Sequence, residues 1–240
     1  MVWLLILGLG LVAGTIGGVV GFGSSIMLMP ILVWSFGPLE TIPIMAIAGM
    51  LANVSRVLVW WREIDWKVNA VYCAAAIPAA AVGARTMIAL DPRLVEGVLG
   101  AFFIAMIPAR RWLTSKGFKL GLAGMAVVGA AIGFITAFVV ATGPINTPFF
   151  LAYGLSKGAF IGTEALGSAF ISLTKAATFR AFGVLTTETL LCGVLVGASL
   201  MMGALLAKRI VADIDPRRFR LLIEAMLGFT GGFMLWHAFA

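Results

Sequence analysis

The sequence predicts an all-α polytopic membrane protein made of two inverted repeats, each a broken re-entrant helix hairpin followed by three transmembrane helices. Three observations carry that prediction: a composition too apolar for water, residues that recur half a chain later, and two long uncharged windows interrupted midway by glycine and proline. Of the 240 residues, 62% belong to the set AVILMFWYC and only 11% are charged, and the mean hydropathy is +1.09. A soluble domain carries about 45–50% apolar and about 25% charged residues, so this chain cannot clothe itself in a water-facing surface. At about 20 residues per span it has room for roughly seven or eight crossings and no extramembrane domain. A soluble enzyme, a nucleic-acid binder and a disordered tail are excluded. The net charge of +7 sits in short loops between apolar runs, where it sets orientation and does not mark a nucleic-acid surface.

The recurrence comes first, because a missed duplication misreads the whole fold. Gly10, Gly14, Ala46, Arg56 and Cys73 reappear 119 positions later as Gly129, Gly133, Ala165, Lys175 and Cys192. Gly83-Ala84 is echoed by Gly203-Ala204, and Asp91-Pro92-Arg93 by Asp215-Pro216-Arg217. The chain therefore divides into repeat 1 (residues 1–119) and repeat 2 (residues 120–240), which together form one transmembrane transport domain.

Each repeat opens on an uncharged window, 1–39 in the first and 120–156 in the second. At 1.5 Å per residue a straight helix of that length would reach nearly twice across a hydrocarbon core of about 30 Å. The windows break at Gly21-Phe22-Gly23-Ser24-Ser25, followed by Pro30, and at Thr142-Gly143-Pro144-Ile145-Asn146-Thr147-Pro148. Glycine leaves a helix at little cost and proline removes a donor, so each window reads as two half-helices around a bend. The first window lacks a basic n-region and is too long for a cleavable signal, so it is expected to be retained. More ordinary helices are expected over 41–61, 68–89 and 92–110, then 160–181, 187–211 and 217–238. Pro92 and Pro216 suit a first helical turn behind an aspartate cap.

Charge decides between crossing and folding back. If both windows cross, the loop lysines and arginines divide eight against eight and give no orientation. If both fold back, Arg85, Arg93, Lys175 and Arg180 lie on one side and the other twelve loop cations on the opposite one. Twelve against four obeys the positive-inside rule, with six full crossings and both termini outside.

Interrupted helices in inverted repeats place a transporter's substrate near the midplane, so the breaks become the candidate site. A half-helix N-terminus offers unpaired N–H groups and roughly half a positive charge, which suits an anion. Gly23, Ser24 and Ser25 in the first break, with Thr142, Gly143, Asn146 and Thr147 in the second, are the candidate substrate-binding residues there. The alternative is that small and hydroxylated residues only allow close helix approach and satisfy freed backbone groups. Arg56 and Lys175 occupy equivalent places in the second helix of each repeat. An ionisable residue inside a span suggests function, and the alternative is that each side chain snorkels to the interface. Pointing inward, the two cations with Asn53, one turn before Arg56, would complete an anion trap, with Ser172 as the counterpart of Asn53.

Other residues carry weaker signals. Glu164, near the start of a span, reads first as a cap interaction and second as a proton-coupling carboxylate. Cys73 and Cys192 read as small buried fillers and form no disulfide framework. His237 reads as an interfacial residue. No His, Cys, Asp and Glu cluster has metal-ligand spacing, and no catalytic set, phosphate loop or dinucleotide fingerprint stands out, so neither an enzyme, a metal nor a cofactor is expected.

The run Gly14-Thr15-Ile16-Gly17-Gly18-Val19-Val20-Gly21-Phe22-Gly23-Ser24-Ser25 with Pro30, then Asn53, Ile64-Asp65-Trp66 and Gly83-Ala84, resembles the sulfite exporter TauE/SafE family, also called the 4-toluene sulfonate uptake permease family. The resemblance covers essentially the whole chain. It implies a multi-pass transporter of the bacterial cell inner membrane that moves sulfite, organosulfonates or related small anions. Ser24 and Ser25 stand where more glycine is usual, a departure that bears on the substrate and not on the fold. The leading expectation is thus a secondary transporter or facilitator of small sulfur-containing oxyanions, with the lipid bilayer and a small anionic substrate as partners and no nucleic acid. Proton or ion coupling and a homodimer are left open. The alternative is a non-transporting membrane anchor or scaffold subunit, against which loops of about six to ten residues offer little grip.

Overall fold

The structure is a computed structural model. It describes residues 2–20, 24–91, 119–138, 143–155 and 157–210, with isolated positions between 94 and 108 and at 232 and 236. The described residues form eight α-helices and no strand: α1 (Val2–Val20), α2 (Ser24–Phe36), α3 (Pro38–Trp60), α4 (Trp66–Ile88), α5 (Leu122–Phe138), α6 (Gly143–Tyr153), α7 (Lys157–Ala181) and α8 (Thr187–Ile210), with a 3-10 turn at Trp61–Glu63. The helices expected over 92–110 and 217–238, with their proline caps and His237, lie outside the described residues.

In both uncharged windows the helix is interrupted across undescribed residues, 21–23 between α1 and α2 and 139–142 between α5 and α6, while Pro30 and Pro148, expected to help break them, lie inside α2 and α6. In the first, Trp3 at the start of α1 packs its ring on Phe36 at the end of α2, 5.7 Å between centroids. In the second, the Leu120 N–H just before α5 donates to the Ala152 carbonyl at the end of α6, at 3.0 Å. Each window therefore brings its own two ends side by side. The turn out of each short helix is made at a left-handed glycine, Gly37 with φ 77° and Gly154 with φ 110°. There the Gly37 N–H bonds the Val33 carbonyl, and the Leu155 N–H bonds the Phe150 carbonyl, satisfying helix-terminal acceptors as left-handed C-terminal turns do.

Three described helical stretches are long and apolar enough to cross a membrane: Leu39–Glu63, Trp66–Ile88 and Thr187–Leu206. At 25 residues α7 has the length, but Glu164 and Lys175 with several glycines, serines and threonines make it less apolar. Pro30, Pro43, Pro78 and Pro148 all lie inside helices, which neighbouring helices and hydroxyl side chains make tolerable in an apolar bundle.

Small residues set the packing. Gly10 and Gly14 of α1 lie against Ser199 and Leu200 of α8, and Gly129 and Gly133 of α5 lie against Tyr72 and Ala76 of α4. A β-carbon on Gly14 or Gly133 would run into a neighbouring carbonyl. Close backbone approach of this kind drives helix association where lipid removes the hydrophobic advantage. Along α3, Gly49 lies against Ser172, Arg56 pairs with Glu164, and Trp60 meets Gly162, so α3 and α7 run antiparallel. Gly193 lies against Ile44 and Ile47, and Gly197 against Ala48 and Leu51, so α3 and α8 run parallel. The Asn69 side chain donates to the Thr163 carbonyl at 2.9 Å, and Gly167 lies against Tyr72, so α4 and α7 also run parallel.

Two apolar cores result. One, with Leu28, Met29, Ile44, Met45, Phe179 and Val196, joins α2, α3, α7 and α8. The other joins α4 to α7 around Tyr72, Phe150 and Phe160, whose rings stack with centroids 5.1 Å apart for Tyr72–Phe150 and 6.5 Å for Phe150–Phe160. Between them runs the polar network described next.

Candidate functional site

The site is assembled from four helices that the sequence keeps far apart. On α3, Asn53 and Arg56 lie one turn apart, and the guanidinium donates to Asn53 Oδ1. Both point inward: Asn53 is buried, and the Arg56 side chain is 12% exposed. This settles the snorkelling alternative for Arg56 against the interface. Its Nη1 lies 3.5 Å from Glu164 Oε2 on α7 and has no hydrogen-bond partner.

Glu164 is the centre of the network. It lies seven residues into α7, which begins at Lys157, and is 4% exposed. The cap reading of this residue is therefore corrected: two turns into a helix, a carboxylate cannot reach the orphan N–H groups of the first turn. Its Oε1 accepts from the Ser168 hydroxyl at 2.7 Å and from the Asn146 amide at 3.3 Å. Asn146, fully buried in the first turn of α6, accepts in turn from the Tyr72 hydroxyl of α4 at 3.2 Å. The second break and Arg56 thus meet on the two oxygens of one carboxylate. A buried charge is tolerable only when paired and hydrogen-bonded, and both conditions are met here.

Around the Arg56 side chain a small recess is lined by Gly14, Gly17, Gly18, Ser24, Ala52 and two residues of α8. Ser24 is the first residue of α2, so the first turn of that half-helix borders the cation. The glycine face of α1 leaves the space that side chains would fill. Ser25 is half-buried beside Ser24, and Thr147 is half-buried on α6 next to Asn146. Gly143 opens α6. Gly23 and Thr142 lie outside the described residues.

Lys175 stands apart from this network. It is 4% exposed and donates to the Thr136 carbonyl at 2.8 Å, in the last turn of α5, where carbonyls lack intrahelical partners and a cation complements the helix dipole. Arg56 thus borders α1 and α2, and Lys175 the end of α5. Ser172, the counterpart of Asn53, is buried beside Gly49.

The Ile64-Asp65-Trp66 motif has a structural role. The Asp65 carboxylate caps α4 by accepting from the Val68 N–H at 3.0 Å, and the Asp65 N–H donates to Thr163 Oγ1 at 2.9 Å, which fastens the α3–α4 turn to α7. Cys73 and Cys192 are both buried free thiols. Among the described residues no group of three His, Cys, Asp or Glu could hold a metal ion. Tyr72, Asn69 and Ser168 escaped the sequence reading. Tyr72, one of only two tyrosines, was the most findable, since a buried tyrosine hydroxyl requires a partner.

Residues 6–234 match the family described as sulfite exporter TauE/SafE. No curated protein and no solved structure matches the chain. A family match of that extent leaves only five residues before it and six after it, and it agrees with the apolar helices and the glycine-lined cation. The chain belongs to the sulfite exporter TauE/SafE family, a family of membrane transporters and not of enzymes.

Proposed function

We propose that the protein is a secondary transporter or facilitator of small sulfur-containing oxyanions, sulfite and organosulfonates, across the bacterial inner membrane. The anion is held between the two helix breaks near the midplane, with Arg56 as its main electrostatic partner. One observation carries this reading: Arg56 is buried in the bundle, beside the first turn of α2 and the glycine face of α1, with its Nη1 free of hydrogen bonds. A buried guanidinium with an unused donor suits an oxyanion, because its planar fork matches two oxygens at once.

Gly23, Ser24 and Ser25 present the first half-helix end to the anion, and Asn53 orients the guanidinium. Thr142, Gly143, Asn146 and Thr147 serve the same purpose at the second end, with Lys175 holding the end of α5 through the Thr136 carbonyl. The two repeats have opposite orientations, and each window re-enters on the side from which it came. The antiparallel course of α3 and α7 supports that arrangement, as do the side-by-side ends of each window. So does the placement of Gly158 against Trp60 and Glu63, which sets the Lys157 loop beside the Arg62 and Lys67 loop, as the twelve-to-four charge division requires. Alternating access then amounts to rocking one repeat against the other around the site.

The test is exchange of labelled sulfite, and of a panel of labelled sulfonates, by protein reconstituted into liposomes, beside protein-free liposomes. Wild type should exchange at least one panel member. Arg56→Gln and Lys175→Gln, at matched incorporation, should lose most of that activity. Full exchange by both variants would place the anion elsewhere, and no exchange by wild type would favour a non-transporting membrane subunit.

A further inference from the structure

The pair Arg56–Glu164 has a property that a plain anion site does not need. The protein's own carboxylate already lies against the guanidinium that is meant for the substrate. It also lies at the first turn of α6, through Asn146, where the partial positive charge of a helix end favours an anion. Glu164 therefore occupies two anion-stabilising positions at once, one at Arg56 and one at the first turn of α6.

We propose that Glu164 is the resident counter-ion whose place the substrate takes, and that the exchange is coupled to protonation, so that one proton travels with each monoanion. This rests on the anion-transport reading above and adds the coupling ion to it. The charge balance follows from burial. With no substrate, the positive Arg56 and the negative Glu164 sum to zero. When a monoanion takes the guanidinium, a Glu164 that stayed ionised would leave one uncompensated negative charge deep in the bundle, which is costly at membrane depth. Binding one proton on a Glu164 oxygen removes that charge, and the site is again neutral. Release of the anion on the far side restores the ion pair and sets the proton free there. No bond of the substrate is made or broken.

The surroundings are suited to this exchange. Facing the carboxylate are Arg56 from α3, Tyr72 from α4 through Asn146, Asn146 from α6, and Ser168 from its own helix. Arg56 is the only charged group among these. Cys73 follows Tyr72 and bonds to Asn69, and Lys175 turns its ammonium to α5. Asn146 and Ser168 are neutral and remain beside the carboxyl in both protonation states. Nothing among these groups can replace Arg56 as a counter-charge when the substrate takes it.

The experiment uses a labelled organosulfonate that wild type exchanges, a strong-acid monoanion at every pH used, and the reconstituted full chain, with protein-free liposomes subtracted. Two readings are taken: exchange with the sulfonate on both sides at equal pH, and accumulation driven by an inwardly directed proton gradient. Coupling of one proton per monoanion allows accumulation of up to about tenfold per pH unit of gradient. Wild type should show both. Glu164→Gln, which keeps the side-chain shape and is neutral throughout, should lose the gradient response, read as accumulation relative to whatever exchange the variant retains. A Glu164→Gln protein whose accumulation still follows the gradient overturns the proposal. Should that variant fail to insert, wild type alone decides the matter: exchange that is indifferent to the proton gradient overturns the coupling while leaving the transport reading intact. Absence of exchange in wild type would remove both.

Discussion

The hydrogen bond from Tyr72 to Asn146 is the most exposed joint of the account, because it ties the second break to the rest of the bundle through two neutral groups. Tyr72→Phe keeps the ring that stacks between Asn146 and Phe150 and deletes only the hydroxyl, so the whole effect falls on one bond. Tyr72 and Asn146 are both fully buried, and the bond they share is 3.2 Å long. Stranding a buried acceptor costs about 1–3 kcal/mol in soluble proteins. Interhelical bonds in membranes average nearer 0.6 and reach about 1.7 kcal/mol, because the unfolded chain in lipid finds other partners. Both groups are fully buried, so the upper part of the membrane range applies, about 1–1.5 kcal/mol. Asn146→Leu removes this bond and the one to Glu164 Oε1 at 3.3 Å. Loss of a bond to a charged group adds about 1.5–3 kcal/mol, so its total is roughly 2.5–4.5 kcal/mol. Reversible unfolding in mixed micelles, followed by tryptophan fluorescence, measures both. The double variant should cost no more than Asn146→Leu alone, giving a coupling energy near the value of Tyr72→Phe. Strictly additive losses, or a Tyr72→Phe protein as stable as wild type, would refute the network.

Further outcomes follow from the packing and the topology. Gly14→Val and Gly133→Val should each lower stability in the same assay by about 1–3 kcal/mol or more, since a side chain there meets a neighbouring carbonyl and overpacking forces the helices apart. Gly8→Ala, which meets nothing within 4 Å, should be neutral or gain about 0.5–1 kcal/mol from helix propensity. Lys175→Met should cost about 1–3 kcal/mol, because it leaves the Thr136 carbonyl without its partner, and Lys175→Arg should recover part of that loss. A periplasm-active reporter enzyme fused after Ala240 should be active; a silent one beside an active cytoplasmic reporter would sink the re-entrant topology.

Local signals made much of this architecture legible. The places where one helix gives way to the next were readable from Gly21-Phe22-Gly23 and Thr142-Gly143, because glycine acts on the backbone where it stands, whereas Pro30 and Pro148 are accommodated inside α2 and α6. Helix ends fell within a few residues: 41–61 was expected where α3 spans Pro38–Trp60, and 160–181 where α7 spans Lys157–Ala181. α7 starts three residues before the expected 160, and there Gly158 packs directly on Trp60, a contact that local sequence does not reveal. Arg56 was legible as a candidate because any cation in an apolar run is conspicuous. Its partner was not, since Glu164 lies 108 residues away, and no spacing rule links positions joined only by tertiary packing. The same holds for Tyr72 and Asn146, which are 74 residues apart. Lys175 matched Arg56 in position, but its engagement with the end of α5 depends on where that helix stops.

The central claim, that an oxyanion sits on Arg56 between the two breaks, is tested most directly by a crystal grown with selenite, a heavier analogue of sulfite whose selenium can be located by anomalous scattering. The account predicts a selenium peak in the recess between α1, α2 and α3, with oxyanion oxygens about 2.7–2.9 Å from the guanidinium nitrogens, and with Glu164 withdrawn from Nη1. A selenium peak elsewhere in the bundle, with the Arg56–Glu164 pair intact beside it, would contradict it.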